Sequence, residues 1–245
     1  MRLVAEGKSK LVYEKDGELV LEFKDEVTAM DGAVRATAPG KGVLNARISA
    51  YLFSQLEKRG IETHFIEYDG GRRLRVRKLR MIPLEVIVRN YAYGSLLRRM
   101  PLIERLAPLS PPIVEFHLKN DELHDPLVLR EDILAAKLLT PQQLDEVVSI
   151  AIRVDDVLTE VFRSRGLKLI DMKLEMGFDP SGRILVADEI SGDTIRVMDE
   201  RGRHLDKEVF RRSGDPKLLI EAYTELARRL GLEVSDVARG RGGDN

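Results

Sequence analysis

The sequence predicts an α+β protein with two lobes, and three observations support this fold class. Strand patterns dominate residues 1–80 and surround a single helical pattern, which is typical of a small α+β unit. Residues 81–245 combine a long helical pattern, a charged hairpin and a final helix. No linker-like sequence separates the two parts, so the boundary near residue 81 is predicted to be a hinge rather than a tether.

Two hairpins and one helix are predicted in the N-terminal lobe. The segments KSKLVYEK and ELVLEFK flank Asp16-Gly17, while IETHFIEYD and RRLRVRKLR flank Gly70-Gly71. Such dipeptides between strand patterns indicate tight hairpin turns. Between the hairpins the apolar residues adopt helical spacing, and Gly60 is suited to ending that helix. The predicted apolar face consists of Leu44, Ile48, Tyr51, Leu52 and Leu56.

A long helix is predicted from Thr140 to Arg165 in the C-terminal lobe. Thr140 is a suitable N-cap, Pro141 fits the first turn, and Gly166 fits the end. The apolar stripe of this helix consists of Leu144, Val147, Ala151, Val154, Leu158 and Val161.

Two further segments complete the predicted C-terminal lobe. Residues 95–125 are rich in proline and poor in periodicity, which predicts long loops with short regular pieces. Long loops in a compact domain are often functional. A last helix is predicted to begin at Asp215-Pro216 and to end near Gly231.

The most informative stretch is LIDMKLEMGF, which reads as a strand of the charged hairpin. Asp171, Lys173 and Glu175 occupy alternate positions, and side chains alternate between the two faces of a strand. One face therefore carries an acid, a base and an acid. The opposite face is predicted to be apolar and to pack on the long helix, through Ile170, Met172, Leu174 and Met176.

The register of this hairpin decides whether a second acid joins the charged face. If Asp179 and Gly182 close a two-residue loop, Lys173 lies opposite Asp188. However, Pro180 favours a type I turn with a glycine bulge, which shifts the pairing by one residue. That shift turns Asp188 towards the apolar face, where an unpaired carboxylate is costly. The simple register, or a compensating bulge, is therefore predicted.

Clustered carboxylates beside a lysine favour a site for Mg²⁺ and a polyphosphate. Mg²⁺ prefers one or two carboxylates together with nucleotide phosphates, and the ammonium of Lys173 would neutralise a phosphate. The alternative is a solvated sheet face with cross-strand ion pairs, which is the more usual meaning of an arbitrary charged strand.

Two other constellations suit anion binding. Gly7 beside Lys8 and Lys10 would let the backbone approach phosphates, although lysines also protect exposed sheet edges. Arg89 at a strand end, with Ser95 on the following loop, would clamp a phosphate or carboxylate. A simple ion pair of Arg89 is an equally good interpretation.

Composition excludes several classes of function. The net charge of −1 gives no general basis for nucleic-acid binding, and the absence of cysteine removes thiol chemistry and disulfides. No apolar run approaches the roughly 20 residues of a membrane span, and the start lacks a signal-peptide core. A cytoplasmic protein without nucleic-acid or membrane partners is therefore expected. RNA binding by the basic strand RRLRVRKLR is the alternative, but interleaved aromatic residues are absent there.

The order of the motifs adds a further inference, because it resembles one enzyme family along most of the chain. From about residue 5 to 231 the sequence is similar to the phosphoribosylaminoimidazole-succinocarboxamide synthases, or SAICAR synthetases. The motifs that carry this resemblance are EGKSKLVY, FKDEVTAMDG, GKGVLN, GIETHFI, IPLEVIVRNYAYGSL, EFHLKNDELHDP, LIDMKLEMG, ADEISGDTIR and LDKEVFR. Nine motifs in the family's order are far more specific than any one of them. The chain differs from the usual family pattern at Tyr93 and Gly192.

The resemblance implies a two-lobed SAICAR synthase-like fold, related to ATP-grasp enzymes and kinases, with an ATP cleft between the lobes. It implies that ATP, L-aspartate and carboxyaminoimidazole ribonucleotide give the succinocarboxamide, ADP and phosphate. Mg²⁺ is the implied metal cofactor and ATP the co-substrate. The implied partners are small molecules only, and a homodimer is left open.

Residue roles follow from the resemblance by matching position. The residues implied to bind ATP are Lys8, Lys10, Lys119 and Lys173. Those implied to act in catalysis are Asp31, Asp171 and Lys173. Those implied to clamp the ribonucleotide phosphate are Arg89, Ser95 and Arg196. Those implied to hold Mg²⁺ are Glu175 and Asp188. The rival interpretation is another ATP-dependent carboxylate–amine ligase, or a kinase, on the same fold.

Overall fold

The structure is a computed structural model that describes residues 1–29 and 34–235 of the chain. Its helices are α1 (Lys41–Lys58), α2 (Ser95–Arg99), α3 (Arg130–Ala135), α4 (Pro141–Arg163), α5 (Glu208–Ser213) and α6 (Pro216–Arg229). Its strands are β1 (Arg2–Glu6), β2 (Lys10–Lys15), β3 (Glu18–Phe23), β4 (Glu26–Ala29), β5 (Val34–Thr37), β6 (Phe65–Tyr68), β7 (Arg73–Val76), β8 (Arg80–Met81), β9 (Leu84–Tyr91), β10 (Pro108–Leu118), β11 (Leu127–Val128), β12 (Lys168–Phe178), β13 (Ile184–Ala187) and β14 (Ile195–Met198).

A five-stranded antiparallel sheet forms the N-terminal part, in the order β1-β2-β3-β7-β6. Both predicted hairpins are confirmed. Asp16 and Gly17 each have a positive φ, as the tight turn between β2 and β3 requires. On β7, Leu74 is buried while Arg73 and Arg75 face outward and pair with glutamates, so the basic strand has the predicted solvated face.

A seven-stranded sheet forms the C-terminal part. Its main path is β11-β10-β9-β12-β13, and β8 and β14 also pair with β12. Helix α4 packs against β12 as predicted. Thr140 caps this helix in a capping box with Gln143, Gly166 follows its end at φ 70°, and its predicted apolar stripe is buried.

One hydrophobic cluster spans both sheets. It includes Leu21 of β3 and Leu174 of β12, and α1 packs against α4 and α6 as well as against β3, β6 and β7. Backbone bonds also cross between the parts, since the amide of His64 donates to the carbonyl of Val186 at 2.8 Å. The core is thus continuous, and the boundary between residues 80 and 81 stays a prediction.

The prediction of long loops over residues 95–125 is wrong for its central part. Residues 108–118 form β10, an 11-residue strand that pairs with β9. The pairing register shifts between Pro108 and Ile113, and the intervening prolines lie in this irregular stretch. Because proline cannot donate a ladder hydrogen bond, such a bulge is where a strand tolerates it.

The simple register predicted for the charged hairpin is also wrong. Glu175 pairs with Ala187, one residue away from the predicted pairing. The amide of Gly182 donates to the carbonyl of Asp179, and Gly182 has φ 87°, so the turn contains the glycine bulge that Pro180 favours.

The alternation of apolar side chains along β12 is broken at one position. Met172, Leu174 and Met176 pack in the main core as predicted. Ile170 instead packs with Tyr93 in a small second cluster, because the pairing of β12 with β14 is irregular between residues 169 and 171. None of the helices within the described residues is both long enough and apolar enough to span a membrane.

Candidate active site

Lys10 marks the point where the two sheets meet. It begins β2, and its Nζ lies 2.6 Å from Oδ1 of Asp188 and 2.7 Å from Oε1 of Glu189. Burial lowers the pKa of Lys10, but the two carboxylates outweigh that effect and raise it above its ordinary value. Lys10 is therefore a buried, permanently charged group at the junction.

A left-handed backbone conformation at Asp188 brings its carboxylate to the charged side of the hairpin, although the pairing register differs from the simple one. Asp188 follows the end of β13 with φ 59°, which redirects its side chain to the lysines instead of the core. Its backbone carbonyl lies 3.1 Å from Nε2 of His64. Burial would raise the pKa of Asp188, but Lys10, Lys173 and Lys119 lower it overall. The alternative prediction, an irregularity that compensates for the shifted register, is thus confirmed.

Strand β12 contributes the second half of this cluster. Nζ of Lys173 lies 2.8 Å from Oε1 of Glu85 and 3.1 Å from Oε1 of Glu175, and Lys119 pairs with the other oxygen of Glu175. Burial lowers the pKa of Lys173, whereas the carboxylates of Glu175, Glu85 and Asp188 raise it overall. We call this set the lysine–carboxylate cluster; its members are Lys10, Lys119, Lys173, Glu85, Glu175, Asp188 and Glu189.

The cluster offers suitable donors for a magnesium ion shared with phosphates. Glu175 and Asp188 both interact electrostatically with Lys173, so their carboxylates face one region. In residues 1–29 and 34–235, no group of three or more acids or histidines could hold a metal by itself. Two carboxylates with phosphate oxygens completing the shell match the preference of Mg²⁺, so the donor set fits this ion.

Lys8 lies apart from the lysine–carboxylate cluster, on the rim of a separate cavity. Its Nζ pairs with Asp121 at 2.7 Å, and both side chains are exposed. A cavity of about 530 Å³ opens beside this pair between the β1–β2 connection and the paired strands β4 and β5, with Lys24 and Arg35 in its lining. Asp31, which the resemblance places in catalysis, lies outside the described residues.

Arg89 of β9 is fully buried among protein groups. Its guanidinium donates to Glu115 at 2.8 and 2.9 Å, to Asp171 at 3.0 Å and to Ser95 at 2.8 Å. The ion pair that was one interpretation of Arg89 is therefore present. The surrounding cations outweigh burial and hold the pKa of Glu115 below its usual range.

Arg196 of β14 approaches the same carboxylate from the other side. Its NH1 group lies 2.8 Å from Oδ2 of Asp171, and its Nε lies 3.4 Å from Glu208. Burial raises the pKa of Asp171, and the two arginines oppose that rise. We call Arg89, Ser95, Asp171 and Arg196 the arginine pocket.

A cavity of about 210 Å³ joins the arginine pocket to the lysine–carboxylate cluster. Its lining includes Glu85, Arg89, Ser95, Asp171, Lys173 and Arg196. The connection runs along β12, because Asp171, Lys173 and Glu175 project from alternate positions of that strand. Asp171 and Lys173 of the charged face therefore line one cavity, and this face is the candidate for the wall of a continuous site.

Sequence reasoning brought most of these residues forward but missed several partners. Glu85 gave a signal, since it interrupts an otherwise apolar strand pattern, and Glu189 directly follows Asp188. The sequence contains no local signal for Glu115 or His64, because they reach the site only through strand pairing and the tertiary fold.

Gly94 is where a single methyl group should disturb the arginine pocket. It has φ 59°, and a Cβ there would lie 3.1 Å from NH2 of Arg196, whose guanidinium is held by Asp171. Gly94→Ala is expected to lower the thermal unfolding temperature through backbone strain of about 1–3 kcal/mol and through displacement of Arg196. The matched control is Gly182→Ala, which has φ 87° but no neighbour within 4 Å. An equal loss in both variants would contradict the proposed crowding.

Comparisons with known proteins match nearly the whole chain to one enzyme family. A model of the SAICAR synthetase family matches residues 3–230. The phosphoribosylaminoimidazole-succinocarboxamide synthase of Caldivirga maquilingensis is 56% identical over 232 residues, which cover 94% of this chain and 96% of that protein.

Solved structures give the same result. A SAICAR synthetase in complex with ADP matches with a TM-score of 0.88 and 44% identity, covering 92% of this chain and 96% of that one. The phosphoribosylaminoimidazole-succinocarboxamide synthase of Ehrlichia chaffeensis matches with a TM-score of 0.90 and 37% identity, covering 95% and 99%. The predicted α+β fold class and the predicted family are both confirmed. The chain belongs to the SAICAR synthetase family.

Proposed function

We propose that the continuous site along β12 carries out the family's reaction, with the lysine–carboxylate cluster at the ATP phosphates and the arginine pocket at the ribonucleotide phosphate. Membership of the family makes the chain an ATP-dependent carbon–nitrogen ligase of purine biosynthesis. It joins L-aspartate to carboxyaminoimidazole ribonucleotide and forms SAICAR, ADP and phosphate. A related SAICAR synthetase has been solved with ADP, which supports ATP as the co-substrate.

The observation that carries the proposal is that the lysine–carboxylate cluster and the arginine pocket both include side chains of β12. Lys173 lines the cavity that also contains Arg89 and Arg196, and it belongs to the cluster around Glu175. Two phosphate-bearing ligands bound at the two sites would meet near Lys173. Such convergence is what a reaction between ATP and a second phosphorylated substrate requires, because the reacting groups must be held close together.

The chemistry requires electrostatic positioning rather than a protein nucleophile. The carboxylate of carboxyaminoimidazole ribonucleotide is a poor acyl donor at neutral pH. Its oxygen therefore first attacks the γ-phosphorus of ATP, and ADP departs. The aspartate amine then attacks the acyl phosphate, the C–N bond forms, phosphate leaves and the amine loses a proton. Lys10, Lys119 and Lys173 neutralise the phosphate charge that develops during transfer. Burial strengthens the contacts of Lys10 in particular, because its side chain is only 10% exposed.

Mg²⁺ is the metal proposed for this site. Glu175 and Asp188 would hold it, and the ion would supply charge neutralisation at the phosphates. Within the chain itself, Lys119 and Lys173 orient Glu175, while Lys10 orients Asp188. Lys10, Lys173 and Lys119 also outweigh burial and hold the pKa of Asp188 below its ordinary value, which favours the ionised carboxylate that metal binding requires.

An assay of ADP release tests the proposed function directly. ADP should form rapidly only when ATP, L-aspartate and carboxyaminoimidazole ribonucleotide are all present, and chelation by EDTA should abolish turnover. Release of ADP with another carboxylate in place of the ribonucleotide would favour a different carboxylate–amine ligase on this fold. Transfer of phosphate to a hydroxyl substrate would favour a kinase.

The metal assignment makes a separate prediction. Glu175→Gln and Asp188→Asn each remove a charged oxygen ligand while preserving shape, and asparagine tolerates the left-handed conformation at residue 188. Both variants should need at least tenfold more Mg²⁺ for half-maximal turnover, as expected from loss of about 1.4 kcal/mol or more of binding energy. Glu85→Gln is the matched control, because Glu85 also pairs with Lys173 but is not a proposed ligand. An unchanged Mg²⁺ requirement in Glu175→Gln and Asp188→Asn would remove these residues from the metal site.

The proposal also covers location and partners. The substrates are small, anionic metabolites, so we place the enzyme in the cytoplasm, with no nucleic-acid or membrane partner. A homodimer is the assembly to be tested, by light scattering at several protein concentrations. Asp31 keeps its proposed catalytic role from the family motif, and Lys8 keeps its proposed contact with ATP from the rim of the cavity of about 530 Å³.

A further inference from the structure

Tyr93 lies behind the arginine pocket and is almost fully buried. Three guanidinium groups surround its ring, those of Arg105 at 5.1 Å, Arg196 at 5.3 Å and Arg212 at 6.0 Å from the ring centroid. These distances are within the range of cation–π attraction. A tyrosine ring that contacts three arginines at once is well placed to fix their positions.

The hydroxyl group of Tyr93 continues this arrangement into the protein interior. It lies 3.0 Å from Nε2 of His204, and Nδ1 of the same imidazole lies 2.9 Å from Oδ2 of Asp206. Both His204 and Asp206 are buried. Asp206 is further held by the backbone amides of Val197 and Glu208, at 2.8 and 2.7 Å.

The direction of these hydrogen bonds follows from the groups at each end. A carboxylate only accepts, so Nδ1 of His204 donates to Asp206. The hydroxyl group of Tyr93 lies within hydrogen-bond distance of two groups that can take its proton, Nε2 of His204 at 3.0 Å and Oε1 of Glu208 at 3.3 Å. A guanidinium only donates, so the Tyr93 oxygen accepts from Arg212 and from Arg105 at 3.2 Å. Tyr93 therefore faces the arginines as an acceptor.

Tyr93 also contacts both arginines of the pocket. Its ring lies beside Arg196, and its backbone carbonyl lies 3.5 Å from NH1 of Arg89. Gly94 and Ser95 follow it directly, and Ser95 accepts a hydrogen bond from Arg89. One residue thus connects the two guanidinium groups to the rigid Asp206–His204 pair.

We infer that Tyr93 is a positioning residue which, through Asp206 and His204, aligns Arg196 and Arg89 for the 5′-phosphate of the ribonucleotide and so sets the preference for phosphorylated substrate over the free nucleoside. This inference rests on the proposed function of the arginine pocket. It assigns Tyr93 no contact with the reacting atoms. Its effect should therefore appear in affinity for the phosphate and not in the chemical step.

The test compares two ligands in calorimetric binding experiments. The ligands are SAICAR, the product, and the same succinocarboxamide nucleoside without its 5′-phosphate. Tyr93→Phe keeps the ring and its cation–π contacts but removes the hydroxyl group. We expect SAICAR to bind about three- to tenfold more weakly, as for the loss of one hydrogen-bonding group. Affinity for the nucleoside and for ADP should stay the same, and the KM for the ribonucleotide should rise while kcat changes little.

Two variants make the outcome decisive. Tyr91→Phe is the matched control, since Tyr91 is partly buried on β9 near the same small cluster. It should behave like the original chain. Arg196→Gln should lose most of the preference for phosphate. If Arg196→Gln loses that preference and Tyr93→Phe keeps it, the inference about Tyr93 is wrong and the proposed function stands.

The remaining outcomes are also distinguishable. If Arg196→Gln retains the preference for phosphate, the proposed role of the arginine pocket itself is wrong. If Tyr93→Phe weakens SAICAR and the nucleoside equally, the tyrosine acts only on general structure and the inference is overturned. Measurements are made below the unfolding temperature of every variant, so loss of folded protein does not enter the comparison.

Discussion

Replacing Arg89 with alanine is expected to lower the free energy of unfolding by about 3–5 kcal/mol, the usual cost of removing one partner from a buried ion pair. Arg89 is 1% exposed, and its guanidinium is shared between Glu115 and Asp171. Alanine would leave both carboxylates buried, beside the partly exposed Arg99 and Arg196 and beside His117, whose Nε2 lies 3.5 Å from Glu115. Chemical denaturation followed by circular dichroism measures the loss.

The control for this variant is Arg73→Ala. Arg73, the first residue of β7, also pairs with a glutamate, Glu22 at 2.8 Å, but its side chain is 47% exposed. Exposed ion pairs contribute about 0–1 kcal/mol, so this change should be nearly silent. A loss below 1 kcal/mol for Arg89→Ala would contradict the structural role. Because loss of Arg89 is expected to destabilise the fold, binding to the arginine pocket is better tested at Arg196, whose replacement leaves Arg89 in place.

Lys10→Met is expected to reduce kcat for ADP release by a factor of about 10²–10³, the usual effect of losing one group that stabilises charge in a transition state. The ammonium group of Lys10 lies between Asp188 and Glu189, next to the proposed phosphate position. Methionine fills a similar volume but leaves two carboxylates facing the incoming phosphates. Steady-state turnover at saturating substrates measures the change.

Lys15→Met, at the exposed end of the same strand, is the control for Lys10→Met. It should keep normal turnover, and both variants should show the same far-ultraviolet circular dichroism spectrum. Normal kcat together with a normal KM for ATP in folded Lys10→Met would exclude Lys10 from the phosphate site. A rise in KM for ATP without a change in kcat would show that Lys10 binds ATP but does not stabilise the transition state.

Local pattern was sufficient to predict the elements whose signals lie within their own residues. The helix from Thr140 has an N-cap, a proline in its first turn and an apolar stripe, and these features do not depend on distant partners. The turn at Asp16-Gly17 similarly encodes its own positive φ values. For this reason the hairpins and long helices were predicted with nearly correct ends.

The candidate site was less predictable, because its geometry depends on irregularities. A glycine bulge moves the hairpin register by one residue, and the left-handed backbone at Asp188 then turns its carboxylate towards Lys10. Neither irregularity follows from alternation of apolar and polar residues. Burial of Arg89 was equally hidden, since its partner Glu115 lies on a strand whose prolines suggested a loop.

The continuous core limits how this enzyme can close over its ligands. Helix α1 presents its apolar face to α4 and α6 as well as to the strands above it, so swinging the whole N-terminal sheet away would expose that face to water. Strand β1 is different, because it forms the outer edge of its sheet and all five of its residues are exposed. Ligand-dependent motion should therefore be a local bending of β1 and its connection to β2 (residues 2–9), which carries Lys8, while the rest of the enzyme stays in place.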